Sequence, residues 1–208
     1  MAVQRKSFHR EGADIRKVRL IEATLRLIAC KGIEAATVRA IAREADVTQG
    51  LIRHYFSTKE ELIAAAFDFH MAGLIERAVQ AAQGETRSAP ERLCSFVRAT
   101  LSSSGHEEVA LWAGFMHIVQ HEPAMLAVHK KAYLSYRDFI QNLIRDLYRE
   151  KGREIGDQDL RRLAIAINAV IDGLWVEGGM IPDSFEQEEL LAVAFSSLSA
   201  LLGVELKA

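Results

Sequence analysis

Residues 37–59 read TVRAIAREADVTQGLIRHYFSTK, and this stretch decides the fold of the N-terminal part of the chain. Apolar and small residues recur at helical spacing in both halves of it. Asp46 and Val47 form the turn between the halves, and Thr48 can cap the second helix because its hydroxyl accepts from free backbone N–H groups. Two short helices joined by a tight turn predict a helix-turn-helix, whose second helix enters the DNA major groove.

The outward face of the second helix carries side chains that can contact DNA. A Gln pairs bidentately with adenine and an Arg with guanine, each worth roughly 1–3 kcal/mol of base discrimination. Glycine inside a helix costs about 1 kcal/mol relative to Ala, and close approach of the backbone to DNA would explain it. The predicted base contacts are Gln49, Gly50, Arg53 and Arg39. The predicted phosphate contacts are Thr37, Thr48, His54, Tyr55 and Lys59. The alternatives are a solvated helix face and, for Tyr55, a half-buried core ring.

Composition favours an all-α fold. Half of the 208 residues are hydrophobic, only three are proline, and β-branched residues do not alternate in runs. The two cysteines lie on apolar helical stretches without C-x-x-C spacing, which is typical of reduced core thiols in a cytoplasmic protein. No run of 18 apolar residues and no signal-peptide pattern is seen, so we expect no membrane span.

Charge is distributed unevenly along the chain. Residues 1–60 carry 12 Lys and Arg against 7 Asp and Glu, whereas residues 61–208 carry 14 against 21. A basic first third predicts that this end meets phosphate, although chance solvated charge is the alternative. Residues 1–13 contain three basic side chains and are predicted to be a flexible arm, which either reaches an adjacent minor groove or is disordered.

Helical periodicity predicts nine helices. After the arm come a helix-turn-helix domain at residues 14–60 and a larger helical domain for ligand binding and dimerisation at residues 61–208. Glycines 178 and 179, followed by Pro182, are expected to end the penultimate helix. Besides the two helices of the helix-turn-helix, the predicted helices are 14–31, 58–83, 90–103, 107–121, 123–150, 158–177 and 185–202.

The last two predicted helices carry more apolar surface than one bundle needs. A helix that is apolar all round is buried, and in a chain of this size a symmetry mate can bury it. We therefore expect a twofold homodimer formed through residues 158–202.

The stretch running from TVRAIAREADVTQG to LIRHYFSTKEEL, preceded by LIACKG at residues 27–32, resembles the TetR family of transcriptional regulators. The resemblance covers residues 15–67 and departs in the turn, where the family usually has Gly and this chain has Asp46. Asp tolerates left-handed backbone, so the turn is expected to survive. The resemblance implies a ligand-responsive regulator, most often a repressor, that binds a near-palindromic operator in double-stranded DNA.

A second resemblance lies in the C-terminal half. LWAGFMHIVQHEPAML and NAVIDGLWVEGG, within residues 107–180, are similar to regulators of the BetI type, which repress choline-to-glycine-betaine genes and respond to choline-like ligands. Aromatic faces and a carboxylate attract quaternary ammonium groups. The candidate pocket residues are Trp112, Phe115, Met116, Tyr133, Tyr136, Asn168, Asp172 and Trp175. The alternative is an ordinary aromatic core, with Asp172 paired to an Arg or capping a backbone group.

No catalytic motif, paired carboxylate or phosphate-binding loop is seen, so we expect no enzyme and no cofactor. His117 and His121 are four residues apart beside Glu122, but they lack the H-E-x-x-H pattern, and no metal site is predicted. The remaining alternatives are an all-α ligand-binding protein or enzyme without a DNA function, and an activator rather than a repressor.

Overall fold

The computed structural model describes residues 13–84, 87–186 and 188–206, and this part of the chain contains nine α-helices and no strand. The all-α prediction is therefore confirmed. Residues 1–12, which make up nearly all of the predicted arm, lie outside the described residues. The helices are α1 (Ala13–Lys31), α2 (Val38–Glu44), α3 (Gln49–Tyr55), α4 (Lys59–Ala81), α5 (Ala89–Leu101), α6 (His106–Val119), α7 (Pro123–Glu150), α8 (Asp157–Met180) and α9 (Glu189–Leu202).

The chain divides into two compact units, Met1–Ala66 and Phe67–Ala208, with the division inside α4. The domain boundary expected after residue 60 stays a prediction, because two spatially compact units need not fold independently of each other.

The first unit is a small helical bundle in which α1 contacts α2, and α2 contacts α3. Each helix contributes a buried apolar face because its apolar residues repeat every three or four positions. Leu20, Ile41, Ile52 and Leu62, one from each of α1 to α4, are almost fully buried.

The turn between α2 and α3 depends on Asp46. Its φ of 53° lies in the left-handed region, which short polar side chains tolerate better than most. The Val47 N–H closes the turn by donating to the Ala42 carbonyl at 2.9 Å. The prediction that Asp46 preserves the turn is confirmed.

Side chains also cap the start of α4. The Glu61 N–H donates to Thr58 Oγ1 at 3.1 Å, and the Ser57 N–H donates to the Glu61 carboxylate at 2.7 Å. The first bond satisfies a backbone donor that the first turn of a helix leaves free, and the second ties the residue before the cap to the same turn.

In the second unit α8 is the central helix, since it contacts α5, α6, α7 and α9. Its buried residues step by three and four along one face, which joins the core that these helices share. The largest fully buried side chains of this unit are Phe96, Phe115, Leu93, Ile140, Leu143, Ile144 and Leu147, together with Phe67 at the beginning of the unit.

Two predicted helix boundaries in this unit are wrong. Helix α8 does not end at residue 177 but runs through Gly178 and Gly179 to Met180. A Cβ at Gly178 would lie 2.6 Å from Leu190 Cδ1, and one at Gly179 would lie 2.2 Å from Val109 Cγ2. The glycines therefore permit close helix packing instead of ending the helix. Helix α9 begins at Glu189 rather than at residue 185; Pro182–Ser184 forms a separate 3₁₀ turn, after which Phe185 is extended.

Helix α8 is also long and apolar enough to cross a membrane, with a mean hydropathy of 1.3 in its most apolar window. Its residues Leu160, Ala164, Ile167, Ile171 and Trp175 are buried in the core of the second unit. Core packing is the ordinary reason for such a composition.

Candidate functional site

Helix α3 places its polar residues on one exposed face. The buried side of the helix is anchored by Ile52, whose side chain lies in the core of the first unit. Gln49, Gly50, Arg53 and His54 are exposed, as are the neighbouring Thr37, Arg39 and Thr48. The structure thus places the predicted base contacts on the surface of the first unit.

Thr37 and Thr48 cap α2 and α3, as predicted for Thr48. Thr37 Oγ1 accepts from the Ala40 N–H at 3.2 Å, and Thr48 Oγ1 accepts from the Leu51 N–H at 3.3 Å. A hydroxyl that accepts in this way retains its own O–H as a donor. Both exposed threonines can therefore donate to an acceptor such as a phosphate oxygen.

Gly50 has no conformational or packing reason to be glycine. A Cβ at this position would meet Thr48 Oγ1 at 3.8 Å, which is an ordinary van der Waals distance, and its φ lies outside the left-handed region. Ala would fit the fold and favour the helix. The absence of a side chain leaves the α3 backbone open to close approach from outside.

Tyr55 and Lys59 are half-buried. The Tyr55 ring stands edge-on to the ring of the exposed His54, with centroids 5.1 Å apart. Lys59 Nζ lies 4.0 Å from the Glu60 carboxylate, at the limit of an ion pair. An ammonium held this loosely can turn toward another anion.

In the second unit, three of the predicted ligand residues come together between α7 and α8. The Tyr133 hydroxyl donates to Asp172 Oδ2 at 2.8 Å. Asn168 Nδ2 donates both to the Tyr133 hydroxyl and to Asp172 Oδ2, each at 2.6 Å. Asn168 is almost fully buried, with 1% of its surface exposed. These three residues form one polar network against an apolar core.

Burial changes the ionisation of this network. It raises the pKa of the Asp172 carboxyl, while the hydrogen bonds from Tyr133 and Asn168 and the nearby Arg137 partly oppose the rise. Burial also raises the pKa of Tyr133 and lowers that of His129. All three shifts follow from the cost of holding a charged group away from water.

His129 and Arg137 also belong to this cluster, although they were not among the predicted ligand residues. The His129 ring lies 5.5 Å from the Tyr133 ring, and the Arg137 guanidinium carbon lies 5.1 Å from the Tyr133 centroid. His129 Nδ1, Arg137 Nε and Asn168 Oδ1 are buried without a hydrogen-bond partner. The spacing of four residues along α7 (129, 133, 137) is the signal that could have found them.

The other predicted ligand residues make different contacts. Phe115 packs on Phe67 in the core, with ring centroids 4.7 Å apart. The Tyr136 hydroxyl lies 3.3 Å from Thr100 Oγ1, and burial raises the Tyr136 pKa strongly. Core packing therefore accounts for Phe115 and Tyr136.

The two predicted tryptophans, Trp112 and Trp175, contact each other. Met116 is half-buried. The Trp175 indole N–H donates to Ser103 Oγ at 3.4 Å, and its ring lies edge-on to Trp112 at 6.2 Å.

A surface groove of about 540 Å³ lies elsewhere, and none of the predicted residues lines it. It is lined by Arg87, Pro90, Glu91, Cys94, Ser95, Arg98 and Glu205.

The exposed His117 and His121 rings are 5.3 Å apart. Within residues 13–84, 87–186 and 188–206, no group of three or more His, Cys, Asp or Glu side chains is arranged to hold a metal ion.

Comparison with known proteins identifies both units. Residues 20–66 match the model of bacterial regulatory proteins of the tetR family. Residues 89–203, more than half of the chain, match the C-terminal model of BetI-type transcriptional repressors. The transcriptional regulator BetI of Paraburkholderia phymatum is 28% identical over 91% of this chain and 94% of its own length.

Solved structures agree with this assignment. A transcriptional regulator from Pseudomonas aeruginosa PAO1 is 29% identical, with a TM-score of 0.84 and 97% coverage of both chains. A regulator from Saccharomonospora viridis in complex with choline shares the fold, with 22% identity, a TM-score of 0.71, and coverage of 91% of this chain and 96% of its own. FadR of Bacillus subtilis in complex with stearoyl-CoA also shares the fold, with 22% identity, a TM-score of 0.70, and coverage of 89% and 97%.

These relatives are transcriptional regulators rather than enzymes, which removes the interpretation of the chain as an enzyme. The two matched regions include helix α3 and helices α7 and α8. The chain belongs to the tetR family of bacterial regulatory proteins and carries a C-terminal region of the BetI repressor type.

Proposed function

We propose that this protein is a cytoplasmic repressor that binds its operator as a homodimer through α3 and is released by a small cationic molecule bound in the second unit. The family membership supplies the regulator function. The operator contacts, the dimer surface and the effector class are the proposal, and each has its own supporting observation.

The observation that carries the DNA-contact proposal is Gly50. It is the second residue of α3 and is exposed, the fold has room for a Cβ there, and glycine favours a helix less than Ala does. Glycine at this position is an advantage if the α3 backbone must approach another surface closely, because no side chain stands in between. The wall or floor of the DNA major groove is such a surface for a recognition helix.

Two side chains on this exposed face have the chemistry of base recognition. Gln49 and Arg53 are four residues apart and both exposed, so they project from one side of α3. Bidentate contacts to adenine and guanine by these residues would each supply roughly 1–3 kcal/mol of discrimination. Arg39, exposed on α2, is proposed as a further base contact.

Phosphate contacts would set the position of the helix on the duplex. We assign this role to the capping threonines, whose hydroxyls keep a free donor, and to three donors near the C-terminal end of α3 and the start of α4. The proposed phosphate contacts are Thr37, Thr48, His54, Tyr55 and Lys59.

Dimerisation is assigned to residues 158–202. Helices α8 and α9 leave large apolar side chains exposed, among them Ile165, Val193 and Leu201. Exposed apolar surface on consecutive helices marks a contact with another chain, and a second copy brings two identical DNA-binding units to one operator. A near-palindromic operator follows, because twofold protein symmetry is matched by two half-sites.

The effector is assigned to the quaternary ammonium class, with choline or a betaine precursor as the specific candidate. The relatives are BetI regulators, and the fold neighbour from Saccharomonospora viridis contains choline. The Asp172 carboxylate beside the Tyr133 ring offers a negative charge and an aromatic face. Another fold neighbour was solved in complex with stearoyl-CoA, so acyl thioesters are the competing class of effector.

Fluorescence anisotropy on a labelled fragment from upstream of the protein's own gene tests the function. We expect binding that resists unrelated competitor DNA, weakens linearly in log affinity against log salt, and is reversed by choline chloride. Equal affinity for unrelated DNA would exclude an operator. Specific binding that choline, betaine aldehyde and glycine betaine all leave unchanged would reject the effector class alone.

Sedimentation velocity tests the dimer surface. Val193→Glu places a charge on a side chain that is 44% exposed on α9, and should convert the dimer to monomer. Leu126→Glu is the matched control, since Leu126 is exposed on α7 outside residues 158–202. A dimer that survives Val193→Glu but is lost in Leu126→Glu would move the interface to α7.

A further inference from the structure

The network between α7 and α8 already contains a cation of the protein's own. The guanidinium carbon of Arg137 lies 5.1 Å from the centroid of the Tyr133 ring, within the range of a cation–π contact. Arg137 follows Tyr133 by one helical turn, so the same face of α7 presents the ring and the charge. The Tyr133 hydroxyl in turn donates to Asp172 Oδ2 at 2.8 Å.

Arg137 also acts electrostatically on both members of that hydrogen bond. Its charge lowers the pKa of the Asp172 carboxyl against the rise that burial causes, and a side-chain hydrogen bond to Tyr133, together with the same charge, lowers the pKa of Tyr133. The guanidinium thus supplies the two interactions that a cationic ligand would seek here: an aromatic face and an attraction to the Asp172 carboxylate.

One hydrogen-bond donor of Arg137 lacks a partner. Its Nε is buried and has no partner. The ion pairs within 4.0 Å formed by the described residues do not join it to Asp172. A buried donor without a partner is costly, and it regains a partner when the side chain moves out to water. Arg137 is therefore held by the Tyr133 ring, by charge and by a side-chain hydrogen bond to Tyr133, while its Nε has no partner.

We propose that Arg137 is a resident substitute for the effector's cation and that a quaternary ammonium ligand binds by displacing its guanidinium from the Tyr133 face. This inference rests on the proposed cationic effector. In the ligand-free protein the charge of Arg137 favours the ionised form of Asp172 and opposes part of the rise in its pKa that burial causes. The ligand takes over that task, and the guanidinium gains solvent for its unpaired donor.

The arrangement makes Arg137 a determinant of affinity. Only the fraction of molecules whose Tyr133 face is vacant binds the ligand directly, so a resident guanidinium raises the apparent dissociation constant. Removing it should tighten the binding of a cation, which is the opposite of what loss of an ordinary ligand contact does.

Titration calorimetry with choline chloride tests this on the full chain. Arg137→Gln should bind choline about tenfold more tightly than the natural protein, the order expected when one partly desolvated cation–ring contact is no longer contested. Arg145→Gln is the matched control, because Arg145 is exposed two turns further along α7, and its affinity should stay within about twofold. Arg137→Met, which keeps an unbranched apolar stem, should also bind more tightly.

The outcomes separate the inference from the effector proposal. If the natural protein binds choline and Arg137→Gln binds it equally or more weakly, the inference is wrong while the effector class stands. If neither the natural protein nor any variant binds choline, both the inference and the effector proposal are wrong. If neither Arg137→Gln nor Arg137→Met folds, the inference also fails, because a folded protein with its guanidinium displaced must be stable.

Discussion

The hydroxyl oxygen of Thr48 accepts a 3.3 Å hydrogen bond from the Leu51 N–H, and this contact begins helix α3. Replacing Thr48 by Ala leaves a first-turn donor without its partner, so the free energy of unfolding should fall by about 1 kcal/mol. Urea denaturation measures this. Thr48→Ser keeps the hydroxyl and should lose much less, whereas equal losses in the two variants would mean that the cap is unimportant.

Gly50→Ala should separate folding from DNA binding. A Cβ at this position fits at 3.8 Å from Thr48 Oγ1, so the variant should be more stable by roughly 0.5–1 kcal/mol. Operator affinity should nevertheless fall, because the added methyl group stands between the α3 backbone and DNA. Denaturation and anisotropy on the same preparation decide it. A variant that binds as tightly as the natural protein would show that the backbone makes no close approach.

Gly179→Ala should be strongly destabilising. The added Cβ would lie 2.2 Å from Val109 Cγ2 and 3.1 Å from the Gly105 carbonyl oxygen, so α8 or α6 must shift, at a cost of roughly 1–3 kcal/mol or more. Thermal unfolding checks this. Gly173→Ala on the same helix is the matched control, because nothing lies within 4 Å of its Cβ and it should be neutral or stabilising. Similar losses at both positions would mean that helix packing is not the cause.

The raised pKa of Asp172 predicts a pH dependence of stability. Its folded state holds the proton to higher pH than the unfolded chain, whose Asp pKa is near 3.8, so the folded protein binds more protons in that window. The free energy of unfolding of the natural protein, relative to Asp172→Asn, should therefore fall as pH rises above about 4 and level off beyond the folded pKa. Urea denaturation from pH 4 to 7 measures the difference. A difference that grows with pH would indicate a lowered pKa instead.

Much of the first unit could be predicted from sequence because its signals are local. The capping residues Thr48 and Thr58, the tolerance of Asp46 for left-handed backbone, and the apolar periodicity each act within a few residues. Local preferences of this kind are little affected by the rest of the fold.

The second unit was harder to predict because its decisive contacts are distant in sequence. Gly178 and Gly179 suggest a helix end by propensity, yet Leu190 on α9 and Val109 on α6 pack closely against them, so a Cβ at either position would force a neighbour to shift. Likewise, nothing near Arg137 in sequence shows that its guanidinium lies over Tyr133. Phe115 was predicted as a pocket residue, but tertiary packing places it in the core, which residues near it in sequence do not reveal.

Recognition of operator bases by the exposed face of α3 underlies the proposed function. It is tested most directly by anisotropy of the natural protein and Arg53→Ala on a series of operators carrying single base-pair changes. We predict that Arg53→Ala loses roughly 1–3 kcal/mol on the intact operator and becomes indifferent to the base at one symmetric pair of positions, while keeping the slope of log affinity against log salt. An Arg53→Ala protein that binds every operator as the natural protein does would contradict the account.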